Sequence, residues 1–227
     1  MSSKTSPTTD FERALLAQGV RFIIGIDEVG RGAVAGPVAV GAALFDAQTG
    51  SLEHFPKGLR DSKLLSQKQR LELVEPLETW LAGNAVGWAS AQEIDERGII
   101  WSLATAASRA LTSLLEVADL RASIARDGAI ILLDGNHDWL AEHAGGLRVV
   151  VREKADRDCA VVSAAAVLAK VRRDRQMESL AEQHPGYELE GHKGYASAKH
   201  MQAIRNLGPS PIHRVTWLGK ILADSND

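Results

Sequence analysis

Two adjacent carboxylates, Asp27 and Glu28, close the apolar run that begins at Arg21, and Gly30-Arg31-Gly32 follows at once. A second apolar run, Pro37 to Phe45, comes next. Acids at the end of a buried strand are costly unless something cationic sits beside them. Strand alternation would send Asp27 and Glu28 to opposite faces. They converge only if the strand gives way near Glu28, a freedom that the glycines supply. The competing reading is a solvated strand end at which both acids merely open a turn. Two further apolar runs finish in acid: Asp134 follows Ala129–Leu133, and Asp156 lies just beyond Leu147–Val151. Taken singly, Asp134 before Gly-Asn is a turn residue and Asp156 a helix cap, with Asp158 a rival for either role. Gathered together, they are hard oxygen ligands suited to Mg²⁺ or Mn²⁺. Two such ions can activate water on one side of a phosphate and stabilise the leaving oxygen on the other.

Other chemistries find less support. No histidine pair has zinc spacing, and the lone cysteine, Cys159, sits beside Asp158, which disfavours a thiolate. There is no phosphate loop of the Gly-Lys-Ser/Thr type. A dinucleotide fold would place a helix after its glycines, whereas a strand-like run follows here. Metal-assisted phosphodiester hydrolysis is what remains.

The elements that must position these acids follow from periodicity and punctuation. Thr9 with Glu12 has the form of a capping box opening a short helix over Phe11–Gln18. Strands are expected over Arg21–Asp27, Pro37–Phe45, Ala85–Ala91, Ala129–Leu133 and Leu147–Val151. Helices are expected over Ser66–Leu81, Gln92–Arg97 and Trp101–Ala118, the last with Leu103, Ala107, Ala110, Leu111 and Leu114 on one stripe. A polar segment, Asp119 to Asp127, closes with Asp127-Gly128. Asp158–Gln183 reads as one long helix whose small run Ser163–Ala166 permits close packing, and Ser197–Asn206 as a shorter one. This order suggests an α/β sandwich with a mixed sheet whose first strands are antiparallel.

The bulk properties set the frame. The 227 residues carry 45 % hydrophobic content, enough for a sizeable core. A single cysteine rules out an intrachain disulfide and fits a reducing compartment. No apolar run is long enough to span a membrane and the N-terminus lacks a signal-peptide core, so a cytoplasmic location is expected. The formal net charge is −3, unevenly spread: residues 1–150 are net acidic and residues 160–220 net basic. A basic C-terminal third opposite an acidic constellation could hold a polyanion and a metal together.

Ile26-Asp27-Glu28-Val29-Gly30-Arg31-Gly32 with Gly36-Pro37 resembles the signature of ribonuclease HII, the type 2 ribonucleases H. Further segments match in order: Asp61-Ser62-Lys63, Leu133-Asp134-Gly135-Asn136, Lys154-Ala155-Asp156, Ser163-Ala164-Ala165 with Leu168-Ala169-Lys170-Val171, Gly191-His192-Lys193-Gly194-Tyr195, and Gly208-Pro209 with His213-Arg214. The resemblance spans Arg21 to Trp217. It implies a ribonuclease H-like mixed sheet flanked by helices over residues 21–183, after a tail and short helix (1–20) and before a C-terminal helical extension (184–227). It also implies an endonuclease that cuts the RNA of RNA–DNA hybrids and at ribonucleotides embedded in duplex DNA, leaving 3′-OH and 5′-phosphate ends.

By the same resemblance, Asp27, Glu28, Asp134 and Asp156 hold Mg²⁺ or Mn²⁺. Gly30, Arg31 and Gly32 sense the ribose 2′-OH, and Tyr195 packs at the ribonucleotide junction. Lys63, Ser163, Lys170, Lys193, His213 and Arg214 are further candidates for substrate contact. For Lys170 and the run Arg172-Arg173-Asp174-Arg175 the alternative is a solvated helix face. The family commonly has Lys-Gly-Asp where this chain has Lys154-Ala155-Asp156, which leaves Asp158 in contention. No clamp-binding peptide is evident from Gly219 to Asp227, and a monomer is the default expectation.

Overall fold

The computed structural model describes residues 6–116 and 119–223. Five strands form one sheet: β1 (Phe22–Val29), β2 (Val38–Asp46), β3 (Gly83–Ala89), β4 (Ala129–Asp134) and β5 (Arg148–Arg152), in the order β3-β2-β1-β4-β5. The first three pair antiparallel, while β4 and β5 run parallel to β1. The fold is the mixed, helix-flanked sheet that the order of elements suggested. No helix among the described residues is long and apolar enough to cross a membrane.

The central strand β1 is buried on both faces, as its near-continuous apolar run requires. Ile24 and Ile26 pack with α4 (Ile99–Leu114), whose stripe Leu103, Ala107, Ala110, Leu111 and Leu114 is buried as expected. Ile23 packs on the other face with α7 (Ala160–Gln183). That helix lies almost against the sheet backbone. A Cβ at Gly25 would stand 2.7 Å from the Val161 carbonyl group, and one at Gly41 2.5 Å from the Ala165 oxygen. The backbone of α7, at Val161 and within the small run at Ala165, therefore meets sheet glycines, and a side chain at either glycine would collide with it.

Several boundaries differ from the sequence reading. The polar stretch before β4 is a helix, α5 (Leu120–Asp127), with Ile124 buried against the α4 side of the sheet. The expected long helix forms as α7, two residues later than its expected start at Asp158, because a short α6 (Ala155–Asp158) and an extended Cys159 at φ −115°, ψ 126° precede it. The capping box of α1 (Asp10–Leu16) does not form. The Thr9 hydroxyl accepts from Arg13 Nε instead, and Glu12 turns away to accept the Val161 amide at the start of α7. A buried carboxylate against a helix N-terminus is favoured by the orphan amides and the dipole.

The remaining helices are α2 (Gln67–Trp80), α3 (Ala91–Arg97), α8 (Leu189–His192), α9 (Ala198–Leu207) and α10 (Val215–Ala223). The C-terminal ones enclose a small core of their own, with Tyr187, Leu189, Met201, Ile204 and Leu218, and Val34 and Ala35 from the glycine loop belong to it. That shared core ties the loop after β1 to the C-terminal helices.

Candidate active site

The parallel register decides where the acids go. Ile26 is level with Leu133, so Asp27 and Asp134 are the next residues of neighbouring strands. Asp156 follows the end of β5, and its backbone N–H donates to Asp134 Oδ1 at 3.3 Å. Three parallel strands thus deliver acid at their carboxyl ends, where ligands of α/β sheets bind.

Glu28 corrects one expectation. The strand does not give way there: Glu28 pairs with Val40 and Val29 with Ala39. Convergence comes from β4 instead, which ends level with Asp27 and leaves that flank of Glu28 uncovered. From the opposite face its side chain reaches the same cavity, and Arg31 Nη1 donates to Glu28 Oε1 at 3.2 Å.

The cavity is about 360 Å³ and is walled by Asp27, Glu28, Asp134, the segment 29–32, Ser62, Lys63, Lys170 and Tyr195, among others. A roomier, more apolar cavity of about 490 Å³ lies between α4 and α5, but its walls carry no carboxylate. Asp27 is 7 % exposed. Burial pushes its carboxyl well above the usual range, and the charges of Glu28, Asp134 and Asp156 push the same way against Lys63. Asp134 is also raised, by burial and then by Asp156, while backbone N–H donors oppose the shift. Lys63 Nζ donates to Asp156 Oδ2 at 2.8 Å.

Asp158, the rival of Asp156, is turned aside. It pairs with Arg157 at 2.7 Å and Arg152 at 3.6 Å, which hold its carboxyl below the usual range.

The donor set fits a hard divalent cation. Asp27 and Asp134 are held above the usual carboxylate range by burial and by neighbouring acids, and against the cluster the protein sets only Lys63, at Asp156, and the half-exposed Arg31, at Glu28. Among the described residues no three such side chains enclose an ion by themselves. An open fork suits Mg²⁺, which keeps several waters and takes one or two carboxylates together with substrate phosphate.

Two buried arginines shape the glycine loop. Arg214 is 0 % exposed and donates to the carbonyls of Gly30 (2.7 Å), Arg31 (2.8 Å) and Gly36 (3.1 Å). Burial, then the charge of Arg173, pulls its proton affinity down to about 9. Arg173, also 0 % exposed, donates to the carbonyls of Pro37 and Lys193, both at 3.0 Å. In a trans peptide the C=O and the following N–H point in opposite directions. With the Gly30 and Arg31 carbonyls drawn inward, the amides of Arg31 and Gly32 must face outward, toward the cavity.

Other candidates are placed differently from the sequence reading. His213 (2 % exposed) and Arg214 are buried beneath the loop and do not reach the cavity as phosphate contacts. Ser163 is buried, and its hydroxyl donates to the Asp156 carbonyl at 2.6 Å, bracing that acid's backbone. Lys193 Nζ is committed to Glu178 at 2.7 Å, away from the cavity wall. Lys170 lines the cavity while paired to Asp174 at 2.7 Å. Tyr195 is 39 % exposed on the cavity rim, with the Arg173 guanidinium carbon 5.7 Å from its ring centre. Sequence reasoning missed Glu12, the inward turn of Arg173, and His200. Each looks locally like a surface residue, and no short-range signal marks it otherwise.

A family model described as Ribonuclease HII matches residues 24–220. The chain belongs to the ribonuclease HII family. A curated ribonuclease HII from Streptomyces coelicolor is 43 % identical over 212 residues, covering 93 % of this chain and 83 % of that protein. Among solved structures, ribonuclease H2 from Pyrococcus horikoshii superposes with a TM-score of 0.70 at 30 % identity, covering 89 % of this chain and 98 % of that one. Ribonuclease HII of Archaeoglobus fulgidus, solved in complex with PCNA, gives a TM-score of 0.66 at 27 % identity, covering 88 % of this chain and 96 % of the other. As a ribonuclease HII family member the chain is an endoribonuclease of the ribonuclease H class that degrades the RNA of RNA–DNA hybrids, and the class depends on divalent metal.

Proposed function

We propose that this protein also cuts duplex DNA at single embedded ribonucleotides, using Mg²⁺ or Mn²⁺ held by Asp27, Glu28, Asp134 and Asp156. The observation that carries this reading is the juxtaposition of the acid fork with the outward amides of Arg31 and Gly32 in one cavity. Divalent ions bound there would activate water and offset charge developing on the phosphate.

The chain's own groups do the rest. Only a 2′-OH separates RNA from DNA at a given sugar. Amides at 31 and 32 approach that hydroxyl with no side chain at 30 or 32 in the way, and an N–H can donate to it where a DNA sugar offers nothing. The Tyr195 ring, on the cavity rim, packs on the neighbouring sugar or base. Lys63 and Lys170 give up part of their carboxylate pairing to contact phosphates and so position the duplex without reading its sequence.

The test is a DNA duplex carrying one ribonucleotide, incubated with and without Mg²⁺ or Mn²⁺ beside an all-DNA control. Cleavage at the ribonucleotide with 3′-OH and 5′-phosphate ends, dependent on metal, is expected. Products with 2′,3′-cyclic phosphates would make the ribose hydroxyl the nucleophile and overturn the mechanism. Cutting of the control would remove the 2′-OH from recognition. In Asp134→Asn, turnover should be lost while hybrid binding largely persists, and near-normal activity would take Asp134 out of the site.

A further inference from the structure

Beneath Tyr195 lies a group of imidazoles that the chemistry above does not use. His192 stacks on His200 with ring centres 4.2 Å apart and planes 17° from parallel. His200 Nε2 and His213 Nε2 are 3.2 Å apart. The hydrogen-bond partners fix which nitrogen carries each proton, because a carbonyl only accepts and an amide N–H only donates.

His200 Nδ1 lies 2.9 Å from the Tyr195 carbonyl and so carries a hydrogen. In the neutral ring its Nε2 is then bare and accepts from His213 Nε2–H. His213 Nδ1 is therefore bare in turn, and it accepts the Ser210 amide at 3.0 Å. The Ser210 hydroxyl, 3.0 Å away, can donate to the same nitrogen, and although the Ser210 carbonyl lies 3.2 Å from it, the amide hydrogen aimed at it excludes a second hydrogen there. His192 Nδ1 accepts the Gly194 amide at 3.2 Å, so its Nε2–H donates to the Tyr187 carbonyl at 2.9 Å. All three rings are satisfied when neutral, each in one tautomer. A proton added to His200 would set Nε2–H against Nε2–H, and one added to His192 would set Nδ1–H against the Gly194 amide.

What these rings hold is the recognition segment. The Tyr195 amide donates to the His192 carbonyl at 3.0 Å, and the Gly194 carbonyl accepts the amides of Val34 (2.9 Å) and Ala35 (3.1 Å) in the glycine loop. We infer that His192, His200 and His213 form a relay of three neutral imidazoles that positions the Tyr195 ring and couples it to the glycine loop for ribonucleotide recognition. The relay rests on the proposed function for its purpose but not for its geometry.

The charged and titratable groups around it are His184 at the end of α7, Tyr187, whose ring centre lies 4.7 Å from that of His213 and whose hydroxyl donates to the Gly208 carbonyl, Lys193 paired with Glu178, Lys199 paired with Glu188, and the buried Arg173 and Arg214. A charge on one ring would be repelled by a charge on the next, so the surroundings as well as burial favour neutral rings. Burial lowers His213 and brings His200 to about 4.

Selective ¹⁵N-histidine labelling tests the relay directly. The expected spectrum shows His200 protonated at Nδ1, His192 and His213 at Nε2, no titration of His200 or His213 between pH 8 and 5.5, and a Gly194 amide protected from exchange. Either ring titrating near 6.5, or the opposite tautomer at His200, overturns it. The positioning role is read from cleavage at a single ribonucleotide. His200→Leu should lose on the order of tenfold, about the worth of one hydrogen bond. His200→Asn, which keeps a donor where Nδ1 stood, should recover most of that. In a Tyr195→Ala background the two His200 variants should become equal. A His200→Leu deficit that persists undiminished without the Tyr195 ring would show that the rings serve folding alone. If the wild-type protein leaves ribonucleotide-bearing duplexes uncut, the functional reading fails, and the ¹⁵N pattern still decides the relay.

Discussion

Gly30→Ala and Gly32→Ala sit two residues apart in the same loop and should behave oppositely. Gly30 has φ +80°, and a Cβ there would stand 2.0 Å from Arg173 Nε and 2.4 Å from its Cζ. The backbone conformation alone costs an L-residue about 1–2 kcal/mol. The guanidinium is buried and packed, so it must leave its bonds to the Pro37 and Lys193 carbonyls, both at 3.0 Å. Each carbonyl left unpaired in the interior costs about 1–3 kcal/mol. Together these predict a loss of about 3–8 kcal/mol, against a total of about 5–15 for an ordinary domain.

Gly32 has no positive φ, and a Cβ there meets nothing within 4 Å. Gly32→Ala should stay within about 0.5 kcal/mol of wild type, as surface changes do. Its cleavage of ribonucleotide-bearing duplex should nevertheless fall, because the added methyl projects where the sugar must approach. Urea unfolding of the two variants, paired with cleavage rates, separates the cases. A Gly30→Ala protein within 1 kcal/mol of wild type would refute the packing argument. A Gly32→Ala protein that is stable and fully active would refute the close approach of backbone to sugar.

Arg214→Lys keeps a cation but not the planar fork that spans three carbonyls. A loss of about 2–5 kcal/mol is expected from the carbonyls it leaves unpaired, measured by denaturant unfolding, and a change under 1 kcal/mol would show that lysine reaches them all. Glu12 is raised from the ordinary 4.5 to about 7 by burial. Its stabilising contribution is therefore full below 4.5 and lost as pH rises through 7. Glu12→Gln should gain on wild type across that window, by about 1.4 kcal/mol per pH unit. His200 runs the other way: lowered from 6.5 to about 4, it favours the fold above 6.5 and loses that contribution as pH falls toward 4. Stability profiles of Glu12→Gln and His200→Asn should tilt in opposite senses between pH 5 and 7, and parallel profiles would exclude this assignment.

Much of the scaffold was readable because its signals are local. The unbroken apolar runs of β1, β2 and β4 are strands buried on both faces, and an acid at the end of a run needs only its immediate neighbours to be noticed. The pattern Asp27-Glu28-Gly30-Arg31-Gly32 carries its chemistry within six residues, and the stripe on α4 repeats at helical spacing. The failures share one cause, which is that burial of a polar side chain is a long-range property. Arg173 in a run of basic residues looks like a wet helix face until the glycine loop closes over it. Glu12 looks like half of a capping box until the start of α7 offers better donors.

By itself the sequence determined which residue types end the strands, and that acids gathered there would suit a hard cation. Tertiary structure alone decided that Glu28 joins Asp27 without a break in the strand, because β4 stops level with Asp27. It alone set the Asp156 carboxylate against Lys63 with its backbone N–H on Asp134, and Asp158 against two arginines. It also turned His213 and Arg214 from surface candidates into the buried support of the loop. In each case the choice lay in which distant segment would satisfy a buried donor or acceptor, and only the packed chain can supply that partner.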